Sequence, residues 1–283
     1  MRYLEIRVNE MKTIKIIAID IDGTLVNSDK QVTSRVKQAI KAAKAQQIKV
    51  VVCTGRPLTG VKSLLQELEL DAQDDQYVIC FGGAATYSTS GELIDERPIS
   101  YDDYIDLEAL ARKLRVHFHA VSENRLYTAD RDIGDYTRYE ADLVSMGISY
   151  RTPEEMRDIK LIKSMYVDDP KALDAAIARQ DLFEPLKQRM TLTKSAPFYY
   201  EANAKGVSKG HALQVLCEKL GLTADNVMAI GDEANDLSMI EFAGCGVAMD
   251  NAIPAVKAAA DEVTTDNDHD GVAVTIEKLL AQS

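Results

Sequence analysis

Four separate segments of the chain carry side chains suited to reaction chemistry. Asp20 and Asp22 follow the apolar run IKIIAI, and Thr54 follows the run IKVVVC. The segment GDEAND, in which Asp232 is the first acid, follows the run VMAI, and Lys209 begins a helical pattern upstream of it. Ligands of open parallel sheets bind outside the carboxyl ends of the strands. We therefore expect these side chains to meet at one edge of a sheet.

These residue types match the needs of phosphoryl transfer. Carboxylates at Asp20 and Asp232 are ligands of the kind that Mg²⁺ prefers, and the ion would screen an anionic nucleophile from an anionic substrate. Asp20 is suited to attack phosphorus, while Thr54, Lys209 and backbone N–H groups hold the phosphoryl oxygens. Asp22 lies two residues further on, roughly 6 to 7 Å away at the rise of a strand. That separation leaves room for it to protonate the leaving oxygen and later activate water.

Asp20 and Asp22 also invite two other interpretations, a polar turn and a calcium-binding loop. The pair is compatible with a polar turn that closes a buried strand, since Asp and Gly are ordinary turn residues. That interpretation requires three further motif-like segments to coincide at strand ends by chance. A calcium-binding EF-hand is excluded because the loop lacks the later ligands and the closing glutamate.

The order of apolar runs and helical patterns predicts the scaffold. Helical patterns begin with Thr33 as an N-cap and with Pro57, and they alternate with apolar runs. This alternation implies right-handed crossovers, so the expected fold class is α/β, with a doubly wound parallel sheet as a Rossmannoid core. The runs that read as strands covered on both faces are Ile14–Ile19, Ile48–Cys53, Tyr77–Phe81 and Val227–Ile230.

A more mixed region interrupts the alternation, and we predict it to be an inserted α+β domain. It contains strand-like pieces such as HFHAV and MTLTK and helical patterns near Tyr101–Leu114 and Pro170–Arg179. The core is then discontinuous in sequence. The predicted parts are an N-terminal extension, 1–10, the first part of the core, 11–86, the insert, 87–198, and the second part of the core, 199–283.

Charge and composition limit the partners of the protein. The chain has 283 residues, a formal net charge of -12 and a pI near 4.9. Nucleic acids and anionic membranes attract basic patches, so neither is an expected partner. The four cysteines are far apart and have no zinc or redox spacing, as expected of buried thiols in a reducing compartment. With no signal-peptide pattern or membrane span in the sequence, we expect a cytoplasmic protein that binds a small phosphorylated molecule.

Taken in order, DIDGT, Thr54, Lys209 and GDEAND resemble the four motifs of the haloacid dehalogenase (HAD) superfamily of phosphatases. The predicted insert lies between the Thr54 and Lys209 motifs and resembles the C2-type cap of that superfamily. Longer stretches, among them CTGRP, KGVSKG, GDEANDLSMIEFAG and GVAMDNAIPAVKAAA, resemble the Cof-type (subfamily IIB), YidA-like sugar-phosphate phosphatases. Four motifs in this order at strand ends form a specific signal.

The resemblance implies a role for each matching residue. Asp20 is implied to be the nucleophile, Asp22 the general acid and base whose backbone carbonyl also binds Mg²⁺, and Asp232 the remaining protein ligand of the metal. Asp236 is implied to orient the metal site or Lys209. The residues implied to bind phosphate or substrate are Thr54, Gly55, Arg56, Lys209 and Asn235.

Several features leave alternatives open. Cof-type members usually have Asn-Gly-Ala after the third strand, whereas this chain has Gly82-Gly83-Ala84, so an amide that helps to order the site is missing. Arg56 either binds substrate or pairs with a neighbouring acid. His269, in the acidic loop TDNDHDG, suggests a second metal, although such runs are usually solvated turns. His117 and His119 either line the substrate pocket or occupy ordinary sheet positions.

The resulting hypothesis is a Mg²⁺-dependent phosphatase that hydrolyses small phosphomonoesters, above all sugar phosphates, through an aspartyl-phosphate at Asp20. A phosphotransferase or mutase of the same superfamily would use the same residues. A non-catalytic sugar-phosphate-binding protein is the alternative that Gly82 suggests. A dehalogenase is disfavoured because halide displacement does not need the acid-base chemistry of Asp22.

Overall fold

The structure, a computed structural model, describes residues 14–282, which form two β-sheets. The predicted N-terminal extension, residues 1–10, lies outside the described residues. The larger sheet has eight strands and the smaller has six. None of the helices between residues 14 and 282 is both long and apolar enough to cross a bilayer.

Strands and helices alternate through most of the chain. The strands are β1 (Ile16–Asp20), β2 (Lys49–Cys53), β3 (Tyr77–Cys80), β4 (Ala85–Ser88), β5 (Leu93–Glu96), β6 (His117–Val121), β7 (Arg125–Thr128), β8 (Gly147–Tyr150), β9 (Lys163–Val167), β10 (Met190–Ala196), β11 (Tyr199–Ala204), β12 (Val227–Gly231), β13 (Cys245–Ala248) and β14 (Glu262–Val263). The α-helices are α1 (Ser34–Ala45), α2 (Lys62–Glu67), α3 (Tyr101–Leu114), α4 (Asp135–Leu143), α5 (Pro170–Ile177), α6 (Gln180–Lys187), α7 (Lys209–Leu220), α8 (Leu237–Phe242), α9 (Pro254–Ala259) and α10 (Gly271–Leu280).

The larger sheet is the doubly wound parallel sheet that the sequence predicts. Its strand order is β14-β13-β12-β1-β2-β3-β4-β5. Strands from β14 to β3 pair in parallel, whereas β4 and β5 continue the sheet as antiparallel hairpins. Strand β1 lies between β12 and β2, and all five of its residues are buried. The four predicted strands are confirmed, with their ends shifted by one or two residues.

Local sequence signals account for the first two helices. Thr33 caps α1, because its Oγ1 accepts a hydrogen bond of 3.2 Å from the N–H of Val36. The helix predicted to begin at Pro57 starts instead as a 3₁₀ turn over Leu58–Val61, and only α2 is α-helical. Glycine is a weak helix former, so Gly60 inside the 3₁₀ turn explains why the α-helix is shorter than predicted.

The smaller sheet forms the inserted α+β domain, which we call the cap. Its strand order is β10-β11-β9-β6-β7-β8, and one of its faces packs against α3, α5 and α6 through a cluster that includes Tyr104, Phe118, Tyr166 and Phe183. The predicted helix Tyr101–Leu114 is confirmed as α3. Elements β7, α4, β8 and α6 were not predicted, because they are short and α6 contains a proline.

Sheet membership differs from both predicted boundaries of the insert. The hairpin β4-β5 extends the larger sheet as far as Glu96, so the core continues past residue 87. Strand β11 pairs with β9 and β10, so the cap continues past residue 198 to Ala204. Sheet membership therefore changes after Glu96 and after Ala204, whereas the insert was predicted to span 87–198. Which sheet a short strand joins is decided by its tertiary partners rather than by its local pattern.

A glycine of the first core part that packs against the start of α7 gives a testable consequence of the fold. Gly83 has φ +107, and a Cβ at this position would lie 2.2 Å from the backbone oxygen of Ser208. We expect Gly83→Ala to lower the free energy of unfolding by about 3 kcal/mol, through strain and displacement of the start of α7. Gly91, at φ +102 with nothing within 4 Å, is the matched control. Thermal unfolding of Gly83→Ala and Gly91→Ala measures the effect of the contact between Gly83 and Ser208. Equal losses of stability in the two variants would show that this contact is absent.

Candidate active site

A buried lysine joins two acids at the carboxyl edge of the larger sheet. Asp20 ends β1, Lys209 begins α7, and Asp236 ends a 3₁₀ turn over Ala234–Asp236 after β12. The Nζ of Lys209 donates to Asp20 Oδ1 at 2.5 Å and to Asp236 Oδ1 at 2.6 Å. Lys209 is 1% exposed and Asp236 0%, so the pairing occurs away from water. The structure thus brings together three residues that were predicted from distant segments.

Close backbone contacts fix where Lys209 enters the site. Ser208 caps α7, its hydroxyl accepting from the N–H of His211 at 3.2 Å. Gly83 packs against Ser208 on one side of this turn. On the other side, a Cβ at Gly210 would lie 2.1 Å from the backbone oxygen of Ser238, at the start of α8. The ammonium group of Lys209 is therefore held by backbone packing as well as by its two carboxylate partners.

Asp232 and Asp236 are connected through the turn that carries them. Oδ2 of Asp236 accepts hydrogen bonds from the N–H groups of Asp232 at 2.9 Å and of Glu233 at 3.0 Å. Thr24 Oγ1 donates to Asp232 Oδ1 at 2.7 Å, and Asn251 Nδ2 lies 3.4 Å from Asp232 Oδ2. Sequence reasoning missed both Thr24 and Asn251. Thr24 lies inside DIDGT and Asn251 inside GVAMDNAIPAVKAAA, so a signal for each residue was present in the stretches that carry the family resemblance.

The three acids suit a hard cation. Asp20, Asp232 and Asp236 each offer an oxygen within 4.8 Å of the others. Both oxygens of Asp236 already accept hydrogen bonds, one from Lys209 and one from two backbone N–H groups. Asp236 thus accepts three hydrogen bonds, whereas Asp232 accepts a short one from Thr24 and a long one of 3.4 Å from Asn251, and Asp20 accepts one from Lys209. Asp20 and Asp232 are therefore the better candidates for ligands, and carboxylate oxygens are what Mg²⁺ prefers. The donor set is compatible with the predicted metal, and Asp236 contacts both Lys209 and the turn that carries Asp232.

Crowding of negative charge raises the affinity of this site for protons. Burial raises the pKa of Asp20 to about 7, with the charges of Asp236 and Asp232 adding to the rise and Lys209 opposing it. Burial also raises the pKa of Asp232 to about 6. Burial lowers the pKa of Lys209, but its two carboxylate partners outweigh that effect and hold the pKa above its ordinary value. Lys209 is thus charged, but its single positive charge does not balance the negative charges of Asp20, Asp232 and Asp236.

These shifts predict how the stability of the metal-free protein depends on pH. The pKa values of Asp20 and Asp232 are about 7 and about 6 in the folded protein, compared with about 3.8 in the unfolded chain. Both carboxylates therefore bind protons more tightly when the protein is folded. The folded state then holds more protons between these values, so the free energy of unfolding falls as pH rises from about 4 to 7. Thermal unfolding in EDTA at pH 5 to 8 measures this slope. Asp20→Asn should flatten it, and an unchanged slope in that variant would contradict the assignment.

Asp22 does not join the buried cluster through its side chain. Its carboxylate is half exposed and accepts from Arg56 Nη2 at 2.8 and 2.9 Å and from Lys30 Nζ at 3.0 Å. Partial burial raises the pKa of Asp22, but the hydrogen bond from Lys30 and the charge of Arg56 outweigh it and hold the pKa below its ordinary value. Arg56 was expected either to bind substrate or to pair with a neighbouring acid. In the structure it forms the ion pair, with Asp22.

Thr54 and its neighbours form a tight turn beside Asp20. The side chain of Thr54 is buried, and its Oγ1 accepts from the N–H of Arg56 at 3.1 Å. The carbonyl of Thr54 accepts from the N–H of Gly82 at 2.9 Å. Gly82 has φ +67, a conformation that asparagine tolerates better than most residues. Gly55 is exposed, and nothing lies within 4 Å of the place where its Cβ would stand, so the turn is open in front of it.

The remaining sequence candidates lie apart from this cluster. Asn235 is exposed on the turn next to Asp236. In the acidic loop, Asp268 accepts from the N–H and hydroxyl of Ser28 at 2.8 Å each, and His269 pairs with Asp266 at 2.6 Å. These contacts tie the loop to the segment after β1, and among residues 14–282 the triad of Asp20 is the site where three possible metal ligands meet.

Comparison with known proteins agrees with this geometry. Residues 17–276 match the family described as haloacid dehalogenase-like hydrolase. A candidate phosphatase of Streptococcus pyogenes serotype M6 is 46% identical over 270 residues, which cover 95% of this chain and 99% of that protein. A haloacid dehalogenase-like hydrolase from Bacteroides thetaiotaomicron has a solved structure with a TM-score of 0.82 and 33% identity, covering 94% of this chain and 100% of that one. The sugar phosphatase BT4131, of HAD subclass IIB, gives a TM-score of 0.77 at 26% identity over 93% of this chain and 98% of that one.

The chain belongs to the haloacid dehalogenase-like hydrolase family, in its Cof-type branch. It is a phosphatase, a hydrolase of phosphoric monoesters, with the α/β core and inserted cap of that family. The family resemblance drawn from the sequence motifs is confirmed.

Proposed function

We propose that the protein is a Mg²⁺-dependent phosphatase that hydrolyses small sugar phosphates through an aspartyl-phosphate at Asp20. The observation that carries this proposal is the placement of Asp20 at 2.5 Å from the buried ammonium group of Lys209, beside Asp232 and Asp236. A carboxylate in this setting is held in one orientation at the open edge of the sheet. The sugar phosphatase BT4131 supports the substrate class, since it shares the fold over most of both chains.

The first step forms a bond between an Asp20 oxygen and phosphorus and breaks the ester bond to the leaving alcohol. For the acid and base role, the Asp22 carboxylate has to turn away from Arg56 and Lys30, which hold it ionised in the structure, and take up a proton. It then gives that proton to the leaving oxygen and later takes one from the water that attacks the aspartyl-phosphate. Phosphate then leaves, and Asp20 is regenerated. Lys209 keeps Asp20 oriented through both steps, while the Thr54 turn, open at Gly55, binds the phosphoryl oxygens.

The metal role falls to Asp20, Asp232 and the backbone carbonyl of Asp22. When bound, Mg²⁺ supplies positive charge that reduces repulsion between the Asp20 carboxylate and the phosphoryl group. Asp236 holds the turn of Asp232 through two backbone N–H groups, so it fixes the position of that carboxylate. The cap excludes bulk water and selects the leaving group.

Phosphate release from a panel of sugar phosphates, nucleotides and pyridoxal phosphate, with Mg²⁺ or with EDTA, tests this function. We expect Mg²⁺-dependent release with sugar phosphates ranked first. Including a free sugar as acceptor separates hydrolysis from the phosphotransferase or mutase alternative, which would yield a new sugar phosphate instead of free phosphate. Binding of sugar phosphates without release of phosphate would overturn the proposal in favour of a binding protein.

A further inference from the structure

One face of the cap sheet carries a buried polar cluster that the proposed chemistry does not use. Lys163 begins β9 and stands directly opposite Asn203 of β11, and Glu201 lies two residues before Asn203. Residues opposite one another and residues two apart in a strand share a face. Glu140 of α4 approaches from above this face. We call Glu140, Lys163, Glu201 and Asn203 the cap polar cluster; the other face is the one covered by α3, α5 and α6.

The hydrogen-bonding capacity of this cluster is only partly used. Lys163 is 4% exposed, and its Nζ lies 3.5 Å from Glu201 and 3.9 Å from Glu140. Charge-assisted hydrogen bonds are shorter, at roughly 2.7 to 2.9 Å, and an ammonium group has three donors. Asn203 is 7% exposed, and its Oδ1 has no hydrogen-bond partner among the described residues. A buried acceptor without a partner is costly, which points to a polar ligand at this position.

The cluster lies at the end of the cap nearest the core. Val121, which stands opposite Lys163 in β6, and Ile162, which precedes Lys163, belong to the hydrophobic cluster that is continuous with the core. Asn203 precedes Lys209 by six residues, so the chain between them spans at most about 20 Å. This upper limit and the packing of Val121 and Ile162 against the core put the cluster on the side of the cap that adjoins the core.

The charge of the cluster decides which leaving group it accepts. Burial lowers the pKa of Lys163, but the charges of Glu201 and Glu140 outweigh it and keep the pKa above its ordinary value, so the lysine is charged. One cation and two carboxylates leave the cluster net negative. Carboxylate and amide oxygens accept hydrogen bonds from hydroxyl groups, whereas a carboxylate or second phosphate on the substrate would be repelled.

We propose that the cap polar cluster binds the hydroxyl groups of the leaving alcohol and selects neutral sugars or sugar alcohols over leaving groups that carry a second anionic group. This inference rests on the proposed phosphatase function and adds the residues that determine specificity. Asn203 and Glu201 accept from substrate hydroxyls, and Lys163 donates to a hydroxyl or ring oxygen. Glu140 holds Lys163 in place and keeps the cluster negative.

Three substrates separate this role from a general effect on the enzyme. Glucose 6-phosphate has a neutral leaving group with several hydroxyl groups, and the leaving group of 6-phosphogluconate carries a carboxylate as well. The leaving group of p-nitrophenyl phosphate has no sugar hydroxyl groups that the cluster could bind. We expect Asn203→Ala to lower kcat/KM for glucose 6-phosphate about tenfold or more, with p-nitrophenyl phosphate changed less than about twofold. Glu201→Gln should narrow the preference for glucose 6-phosphate over 6-phosphogluconate, because it removes one repelling charge.

Ser164→Ala is the matched control. Its hydroxyl is also buried and without a partner among the described residues, but it lies next to Lys163 in β9 and so points to the opposite face of the sheet. We expect this variant to keep the wild-type ratio between all three substrates. If Asn203→Ala lowers kcat/KM equally for glucose 6-phosphate and p-nitrophenyl phosphate, or for neither, the cluster does not bind the leaving group. This inference is then wrong, while the proposed phosphatase function is unaffected. If the wild-type protein releases phosphate from none of the three, the proposed function fails with it.

Discussion

Asp20→Asn is expected to lower kcat for phosphate release at least about 1,000-fold while the fold stays intact. The amide has the shape of the carboxylate but is not a nucleophile, so the covalent step is lost. Because Asn keeps an oxygen for Lys209 and removes one charge from a cluster of three acids, the variant should be as stable as the wild type or more stable in EDTA. Steady-state phosphate release and thermal unfolding measure the two effects.

Asp29→Asn provides the control for Asp20→Asn, since Asp29 is an exposed acid in the same segment. It should leave both kcat and the unfolding temperature unchanged. Acid quenching of the wild type during turnover, followed by mass spectrometry of the peptide that contains Asp20, looks for the phosphorylated aspartate itself. Residual activity of Asp20→Asn within tenfold of the wild type would show that Asp20 is not the nucleophile.

Lys209→Ala is expected to reduce both activity and stability. Without the ammonium group, the buried carboxylates of Asp20 and Asp236 lose their shared partner, and breaking a buried ion pair in this way costs about 3 to 5 kcal/mol. The Asp20 carboxylate also loses its orientation, so we expect kcat/KM to fall by about 100-fold or more at constant Mg²⁺. Chemical denaturation and phosphate release are the measurements.

Two further variants separate these effects of Lys209. Lys219, in the same helix, makes an exposed ion pair with Asp95 at 3.8 Å and donates to the backbone carbonyl of Ile94, so Lys219→Ala should change stability by less than about 1 kcal/mol. In the Lys209→Ala background, Asp236→Asn removes one of the unpaired acids and should recover part of the lost stability without recovering activity. If Lys209→Ala retains wild-type kcat/KM, the lysine has no part in the reaction.

The core was predictable because its signals are local. Continuous apolar runs marked the parallel strands, and the polar residues at their carboxyl ends had to share an edge once the sheet was parallel. From that rule we expected Asp20 and Lys209 to lie close together, and in the structure they are in contact. The helical pattern predicted to begin at Lys209 is confirmed as α7, which Ser208 caps.

The remaining features depend on tertiary contacts that no local pattern encodes. The side chain of Arg56 meets Asp22 across 34 positions of sequence, and Asn251 meets Gly23 across 228. The hairpin β4-β5 has the same short alternating pattern in either sheet, so its membership of the core was not visible from sequence. Lys163 and Asn203 are 40 positions apart and belong to no motif quoted from the sequence; the pairing of β9 with β11 brings them side by side.

The most direct test of the central claim compares phosphate release by the wild type and Asp20→Asn, each with Mg²⁺ and with EDTA, on glucose 6-phosphate and p-nitrophenyl phosphate. For each substrate, we expect release in only one of the four combinations of protein and metal condition, the wild type with Mg²⁺. Release by the wild type in EDTA, or by Asp20→Asn with Mg²⁺ at a comparable rate, would contradict a metal-dependent reaction through Asp20.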